Sequence, residues 1–229
     1  MMESASTYPR RVFGLQVPEW VVRYLPWVSI GILVVMYGVG LVGLQTAARD
    51  WFLDATPLTL VLSSGLLLLN HRGWSAAFAG LVGGIAVAGF LVEVAGVQTG
   101  LIFGEYAYGQ VLGPKLWETP LVIGLNWLLL VYATGSLASR LQLPRLLQAG
   151  VAALGMTLLD VLIEPVAMRL GFWDWSWGMV PLQNYLAWFF ASFCLLLVFV
   201  HFWQHRPNPL ALAVLVLQVI FFGTLNLNI

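Results

Sequence analysis

Residues 157–185 read TLLDVLIEPVAMRLGFWDWSWGMVPLQNY, and they place two carboxylic acids inside an apolar segment. Asp160 and Glu164 are four residues apart, so on a helix their side chains share one face, about 6 Å from each other. An ionised carboxylate inside a bilayer costs at least a few kcal/mol, and such groups normally face the protein interior or a wet cavity. This stretch therefore predicts a helix with a functional acidic face.

The composition of the whole chain agrees with a membrane location. Hydrophobic residues make up 60% of the chain and charged residues 9%, whereas soluble domains carry about 25% charged residues. The ten basic and ten acidic residues cancel, which removes the electrostatic basis for a nucleic-acid partner. The single cysteine, Cys194, excludes a disulfide framework or a cysteine metal cluster.

Seven apolar segments divide the chain. Each is long enough, or nearly so with its flanks, to cross a hydrocarbon core of about 30 Å as a helix. We therefore predict an all-α, polytopic integral membrane protein, with about seven transmembrane helices in one bundle and a single domain over residues 1–229. The segments are residues 28–44, 57–69, 74–97, 120–138, 146–168, 181–203 and 209–227.

The positions of the arginines predict how the bundle is oriented. Under the positive-inside rule, their distribution places the N-terminus in the cytoplasm and the chain in the plasma or inner membrane. Residues 1–26 then form a cytoplasmic lead-in rather than a signal peptide, and residues 98–119 and 171–180 form loops on the outer face. The arginines on the predicted inner side are Arg10, Arg11, Arg23, Arg72, Arg140, Arg145 and Arg206.

Polar side chains from four segments fall at a similar depth when a helical rise of about 1.5 Å per residue is applied. The third segment carries Glu93 near its end, the fourth carries Asn126 near its start, and the sixth begins with Asn184. Together with Asp160 and Glu164 they predict a polar layer in the outer half of the bundle. Such a layer is typical of a binding or catalytic cavity.

Several of these residues also have a structural interpretation. Glu93 could extend to the lipid headgroups, and Asn126 could make a hydrogen bond between helices. The acidic pair could form an ion pair with Arg169, five residues after Glu164. Pro165 predicts a kink, because proline leaves a carbonyl one turn earlier without its hydrogen bond.

The tryptophans also have two interpretations, and a group of small residues has a structural one. Trp173, Trp175 and Trp177 alternate with other residues, which is typical of an aromatic belt at the membrane surface. One of them, or Trp117, Trp127 or Trp188, could instead offer its ring face to a developing positive charge. Gly80, Gly84 and Ala88 predict a stripe of close helix packing.

Five blocks of sequence resemble the carotenoid biosynthesis membrane protein family, of the carotenoid 1,2-hydratase and bisanhydrobacterioruberin hydratase type. The resemblance is ordered along the chain and covers the third to the sixth apolar segments. The blocks are FGEYAYG at 103–109, LGPKLW at 112–117, PLVIGLNW at 120–127, LLDVLIEPVAMRLGFWDW at 158–175 and VPLQNYLAWF at 180–189.

The resemblance implies that water is added to the terminal isopropylidene double bond of an acyclic carotenoid, with water and the lipid bilayer as the other partners. This chemistry needs an acid that protonates the alkene, and it requires no redox cofactor and no metal. Two carboxyl groups about 6 Å apart in a low-dielectric site do not both ionise easily, so one can hold the proton that the reaction needs.

The expected roles follow from position. Asp160 lies deepest and is the expected proton donor, with Glu164 or Glu93 activating water. The other expected site residues are Asn126, Asn184 and Tyr185 positioning water, Glu105 and Tyr106 closing the mouth, and Trp127, Trp173 and Trp188 stabilising the cation.

Proteins of other classes could use the same buried acids. A proton-coupled transporter would be expected to carry polar residues through both halves of the membrane, whereas the predicted layer is one-sided. A non-catalytic subunit that binds a carotenoid or a lipid remains open. A retinal photoreceptor needs a lysine in its last helix, and the only lysine here is Lys115, in a predicted loop.

Overall fold

The computed structural model describes residues 10–12, 15–203 and 208–228. These residues form helices and a few short antiparallel strands. The helices are α1 (Glu19–Gly43), α2 (Arg49–Asp54), α3 (Thr56–Leu69), α4 (Ala76–Thr99), α5 (Val122–Ala138), α6 (Arg145–Arg169), α7 (Leu182–Phe202) and α8 (Pro209–Asn228). The strands are β1 (Arg10–Val12), β2 (Leu15–Val17), β3 (Tyr106–Tyr108), β4 (Lys115–Leu116), β5 (Thr119–Pro120) and β6 (Trp173–Trp175).

The predicted class, an all-α polytopic membrane protein, is confirmed. Five helices in the described part of the chain are long and apolar enough to span a membrane: α1, α4, α6, α7 and α8. The helices α3 and α5 are apolar but shorter. Seven spans therefore stay a prediction. The cytoplasmic N-terminus also stays a prediction, because the side chains of Arg10 and Arg11 and the whole of Arg206 lie outside the described residues.

The first helix begins earlier than expected. The sequence predicted a span from residue 28 after a lead-in of 26 residues, but α1 starts at Glu19. Pro18 immediately precedes the first turn, where the missing amide hydrogen costs nothing. Pro26 lies inside the helix, as membrane helices tolerate. Residues 19–26 therefore belong to the helix, while residues 1–9 and 13–14 of the predicted lead-in lie outside the described part.

The helix α5 forms the centre of the bundle. It packs against α3, α4, α6, α7 and α8, and every residue from Trp127 to Ser136 is buried. A helix that is apolar on all sides lies in a protein core or in a membrane, and α5 is surrounded by other helices of the bundle. This position carries Asn126 and Trp127 into the interior between the other helices.

The closest packing against α5 does not use the predicted small-residue stripe. A β-carbon at Gly89 would overlap the side chain of Trp127, so glycine allows α4 and α5 to approach. At Gly80 and Gly84 an added β-carbon would meet nothing within 4 Å. These two glycines line an open groove between α4 and α7. The prediction was wrong because a stripe read from one helix does not show which face its neighbour covers.

Two segments predicted as loops pair with each other. β3 and β6 form an antiparallel ladder in which Tyr106 lies opposite Trp175 and Tyr108 opposite Trp173. The amide of Gly109 extends this contact by donating to the carbonyl of Phe172, at 2.9 Å. We call β3 and β6 together the aromatic lid.

A tight hairpin, β4 with β5, follows the lid strand β3. Its two turn residues, Trp117 and Glu118, have φ angles of 52° and 61°. Both are exposed. This left-handed conformation is usual for glycine or asparagine and costs other residues about 1–2 kcal/mol each.

Candidate active site

The aromatic lid directs four hydrogen-bond donors towards the interior of the bundle. Successive side chains of a strand point to opposite faces. Tyr106 and Tyr108 therefore share one face of β3, and Trp173 and Trp175 share one face of β6. Ala107 and Asp174, between them, are exposed. The lid thus presents two hydroxyl groups and two indole N–H groups to the carboxylates below it.

Glu93, on α4, is held by three donors from two other parts of the chain. Its Oε2 accepts hydrogen bonds from the hydroxyls of Tyr106 at 2.6 Å and Tyr108 at 2.8 Å. Its Oε1 accepts one from the indole nitrogen of Trp127 at 2.9 Å. The side chain is only 3% exposed. Glu93 is therefore an interior group, and the alternative in which it extends to the headgroups is wrong.

Glu164 and Asp160, on α6, are joined through one amide. Asn184 Nδ2 donates to Asp160 Oδ2 at 3.0 Å and to Glu164 Oε1 at 3.1 Å. Glu164 Oε2 also accepts from the indole nitrogens of Trp173 at 2.8 Å and Trp175 at 2.9 Å. Each of the two carboxyl groups is 2% exposed. The four-residue spacing thus brings both acids to the same side of α6, where α7 supplies their common partner.

These three acids line a small, partly open space, which we call the carboxylate cavity. Its volume is about 30 Å³, and a cavity that holds one buried water needs at least about 10–15 Å³. The cavity therefore has room for one or two waters beside the acids. It is lined by Glu93, Phe103, Tyr106, Tyr108, Ile123, Asn126, Asp160, Glu164, Trp173, Trp175, Asn184 and Trp188.

Most residues expected at the site lie around this cavity. Asn126 lines it, and among the described residues its side chain has no hydrogen-bond partner, so its amide is available to water or a ligand. Trp127 contacts the cavity indirectly, through Glu93 and through Trp188. The rings of Trp127 and Trp188 stack with centroids 4.4 Å apart.

Two expected residues lie elsewhere. Glu105 is exposed, because it precedes Tyr106 and side-chain direction alternates along an extended chain. Tyr185 follows Asn184 on α7, and successive helical residues are rotated by about 100°, so it does not line the cavity. Because neither side chain lines this cavity, the structure does not support the expected roles of Glu105 at its mouth and of Tyr185 in positioning water.

The lid also contains two hydrogen-bond donors that were not expected from the sequence. Tyr108 and Trp175 each donate to a buried carboxyl group, yet neither was expected to do so. The signal was the alternation in YAY and WDW, which is typical of short strands with one buried face. Trp173 and Trp175 are thus hydrogen-bond donors to Glu164, and their membership of an aromatic belt stays a prediction.

The tyrosines of the lid remain protonated at neutral pH. Burial, followed by the charge of Glu93, raises the pKa of the Tyr106 hydroxyl above its ordinary value of 10.0. The pKa of Tyr108 is raised by the same two causes. Both hydroxyls are thus kept as donors. Among the described residues, no group of three His, Cys, Asp or Glu side chains is arranged to hold a metal ion.

A second buried polar cluster lies towards the opposite end of the bundle. Tyr132 on α5 joins the ring of His71, 2.8 Å away, and the side chain of Asn208, 3.0 Å away. Asn208 also donates to the carbonyl of Leu67 at 2.8 Å. No pattern in the sequence predicted this cluster. It connects the ends of α3, α5 and α8.

Comparison with known proteins supports the family resemblance of the five sequence blocks between residues 103 and 189. A sequence model of the family described as "Carotenoid biosynthesis protein" matches residues 53–229. The chain belongs to this family. The predicted resemblance is therefore confirmed, and the carotenoid biosynthesis match includes Glu93, Asn126, Asp160, Glu164 and Asn184.

One relative has a named activity. The bisanhydrobacterioruberin hydratase of Haloarcula japonica is 28% identical to the chain over 190 residues. The aligned region is 74% of this chain and 62% of that hydratase. The chain thus spans less than two thirds of the length of the curated relative. No solved structure matches it.

Proposed function

We propose that this protein is a carotenoid hydratase, which adds water across the terminal isopropylidene double bond of an acyclic carotenoid. The observation that carries the proposal is the carboxylate cavity, where three buried acids adjoin a space of the size of one or two waters. Family membership and the hydratase relative support a carotenoid substrate.

Asp160 is the proposed proton donor. Its Oδ2 accepts one hydrogen bond, from Asn184, and among the described residues its Oδ1 has no partner. Glu93 and Glu164 each accept three hydrogen bonds from donor groups, and such donors stabilise a carboxylate anion. The proton is therefore least costly to hold on Asp160, with Oδ1 directed to the reacting carbon.

The two carboxyl groups on α6 and one water account for every proton and electron pair in the proposed reaction. The alkene π electrons form a C–H bond with the Asp160 proton, which leaves Asp160 ionised and a tertiary cation on the neighbouring carbon. Water then forms the C–O bond and gives its proton to Glu164, from which it returns to Asp160. The negative charge of Glu93 and the ring faces of Trp173 and Trp188 stabilise the cation.

Product analysis tests the proposal. The chain is expressed in a host that makes lycopene, and its carotenoids are examined by mass spectrometry for the added mass of one water per modified end. We expect Asp160→Asn and Glu164→Gln to abolish the product, and Glu93→Gln to reduce it strongly. Glu105→Gln is the matched control, because this carboxylate adjoins the lid but is exposed. Full activity in all three cavity variants would contradict the acid mechanism.

A non-catalytic carotenoid-binding protein is the second candidate. An apolar chamber of about 350 Å³ beside the carboxylate cavity favours it, since ligand pockets commonly measure about 300–1,000 Å³. This candidate predicts that wild-type protein co-purifies with unmodified pigment and yields no hydrated product.

A further inference from the structure

A large apolar chamber lies between α1, α3, α6 and α8, on one side of the carboxylate cavity. We call it the side chamber. Its volume is about 350 Å³. Representative lining residues are Val35, Gly40, Thr59, Leu62, Ile163 and Phe221.

The side chamber adjoins the carboxylate cavity. Ile123, Asn126 and Trp173 line both spaces. Trp173 also donates its indole hydrogen to Glu164 at 2.8 Å, so one side chain separates the chamber from an acid. A ligand in the chamber could therefore present its end to the carboxyl groups.

The side chamber opens towards the lipid. Val35 and Val39 on α1, and Leu58 and Leu62 on α3, line it and are also exposed on the helix surfaces. Large apolar side chains exposed on membrane helices face hydrocarbon. The opening therefore lies between α1 and α3, where an apolar molecule can pass from the bilayer without crossing water.

We propose that an acyclic carotenoid enters this chamber end first from the bilayer and is held there by its apolar chain, with Ile123, Asn126 and Trp173 as the gate to the acids. This inference rests on the proposed function. A fully extended carotenoid is roughly as long as the hydrocarbon core is thick, about 30 Å, so the chamber takes only one end. The rest of the chain stays in lipid, and the two ends react in separate binding events.

The groove between α4 and α7 does not offer the same route. Its volume is about 400 Å³ and it is also apolar. None of its lining residues lines the carboxylate cavity. This groove has a similar size but shares no lining residue with the carboxylate cavity, so it serves as an internal control.

Obstruction of the side chamber tests the route. Gly40 lies on the chamber wall, where an added β-carbon makes only an ordinary contact, 3.6 Å from Phe221. Gly40→Phe should therefore fill the chamber and lower hydration by about tenfold or more. Gly38→Phe, two residues away on an exposed face of α1, and Gly84→Phe, in the other groove, should retain wild-type rates. An added β-carbon meets nothing within 4 Å at either control position.

A second obstruction and a second readout make the outcome independent of the folding of one variant. Thr59→Phe fills the chamber from α3 and should act as Gly40→Phe does. Binding is read in the Asp160→Asn background, in lipid nanodiscs with lycopene, from the circular dichroism induced in the polyene. Addition of Gly40→Phe should remove this signal, and addition of Gly38→Phe should not.

The two proposals fail in different ways. If the wild type hydrates lycopene and both obstructing variants do so at the wild-type rate, the side chamber is not the route and the hydratase proposal stands. If no hydration occurs but the induced signal depends on Gly40, the chamber binds a polyene and the hydratase proposal fails. A loss of hydration in Gly84→Phe alone would place the route in the other groove.

Discussion

Replacement of Asn184 by leucine tests whether this amide orients the two acids for the reaction, in addition to stabilising the fold. Asn184 Nδ2 donates at 3.0 Å to Asp160 and at 3.1 Å to Glu164. Leucine has a similar size and no donor. A hydrogen bond to a charged group contributes about 1.5–3 kcal/mol and one to a neutral group about 0.5–1.5 kcal/mol. With one acid ionised and one neutral, we expect the free energy of unfolding to fall by about 2–4.5 kcal/mol.

Asn184→Leu should lower the hydration rate by more than the loss of folded protein explains. Asp160 loses its only hydrogen-bond partner among the described residues, so the donor oxygen is no longer oriented towards the substrate. Loss of one oriented group in a buried site typically lowers the rate by about 10²–10³-fold. The assay is the initial rate of hydrated carotenoid formation, normalised to the amount of folded protein eluting as a single species.

Asn208→Leu is the matched control. Asn184 and Asn208 are each 1% exposed, and each donates two hydrogen bonds. Asn208 donates to the Tyr132 hydroxyl and the Leu67 carbonyl, and its oxygen accepts from the Leu210 amide, towards the opposite end of the bundle. Both variants should lower thermal stability, and only Asn184→Leu should lower the normalised rate. An equal loss of rate in both would refute the assigned role of Asn184.

Three further predictions concern the groups around the site. Trp127→Phe removes the indole donor 2.9 Å from Glu93 and should lower stability by about 1.5–3 kcal/mol, measured by thermal unfolding, with a reduced hydration rate. The raised pKa of Tyr106 and Tyr108 implies that their contribution to stability is complete below pH 10.0, their ordinary value, and falls as pH rises above it, because the unfolded chain ionises first. Unfolding curves and tyrosinate absorbance across this range measure the effect, and a loss of stability that begins near neutral pH would contradict it. Glu118→Gly relieves a φ of 61° in an exposed turn and should stabilise the fold by about 0.5–1 kcal/mol after the entropic cost of glycine, seen as a higher melting temperature with unchanged activity.

Much of the site could be predicted from the sequence, because helical periodicity is a local property of the chain. Asp160 and Glu164 share a face because a helix repeats every 3.6 residues, whatever surrounds it. Glu93, Asn126 and Asn184 could be placed at a similar depth for the same reason, since the rise per residue is fixed. The membrane class followed from composition, because the free energy of transfer from water to lipid depends on the residues themselves.

The tertiary structure decided which groups touch. The donors to Glu93 come from positions 13, 15 and 34 residues away along the chain, and no local pattern specifies such pairs. The pairing of β3 with β6 turns four aromatic side chains into hydrogen-bond donors, whereas the sequence alone favoured a membrane belt. The central place of α5 and the link between the side chamber and the acids likewise depend on how helices pack. Covalent geometry fixes the face and the depth of a side chain, and only packing between distant segments fixes its partner.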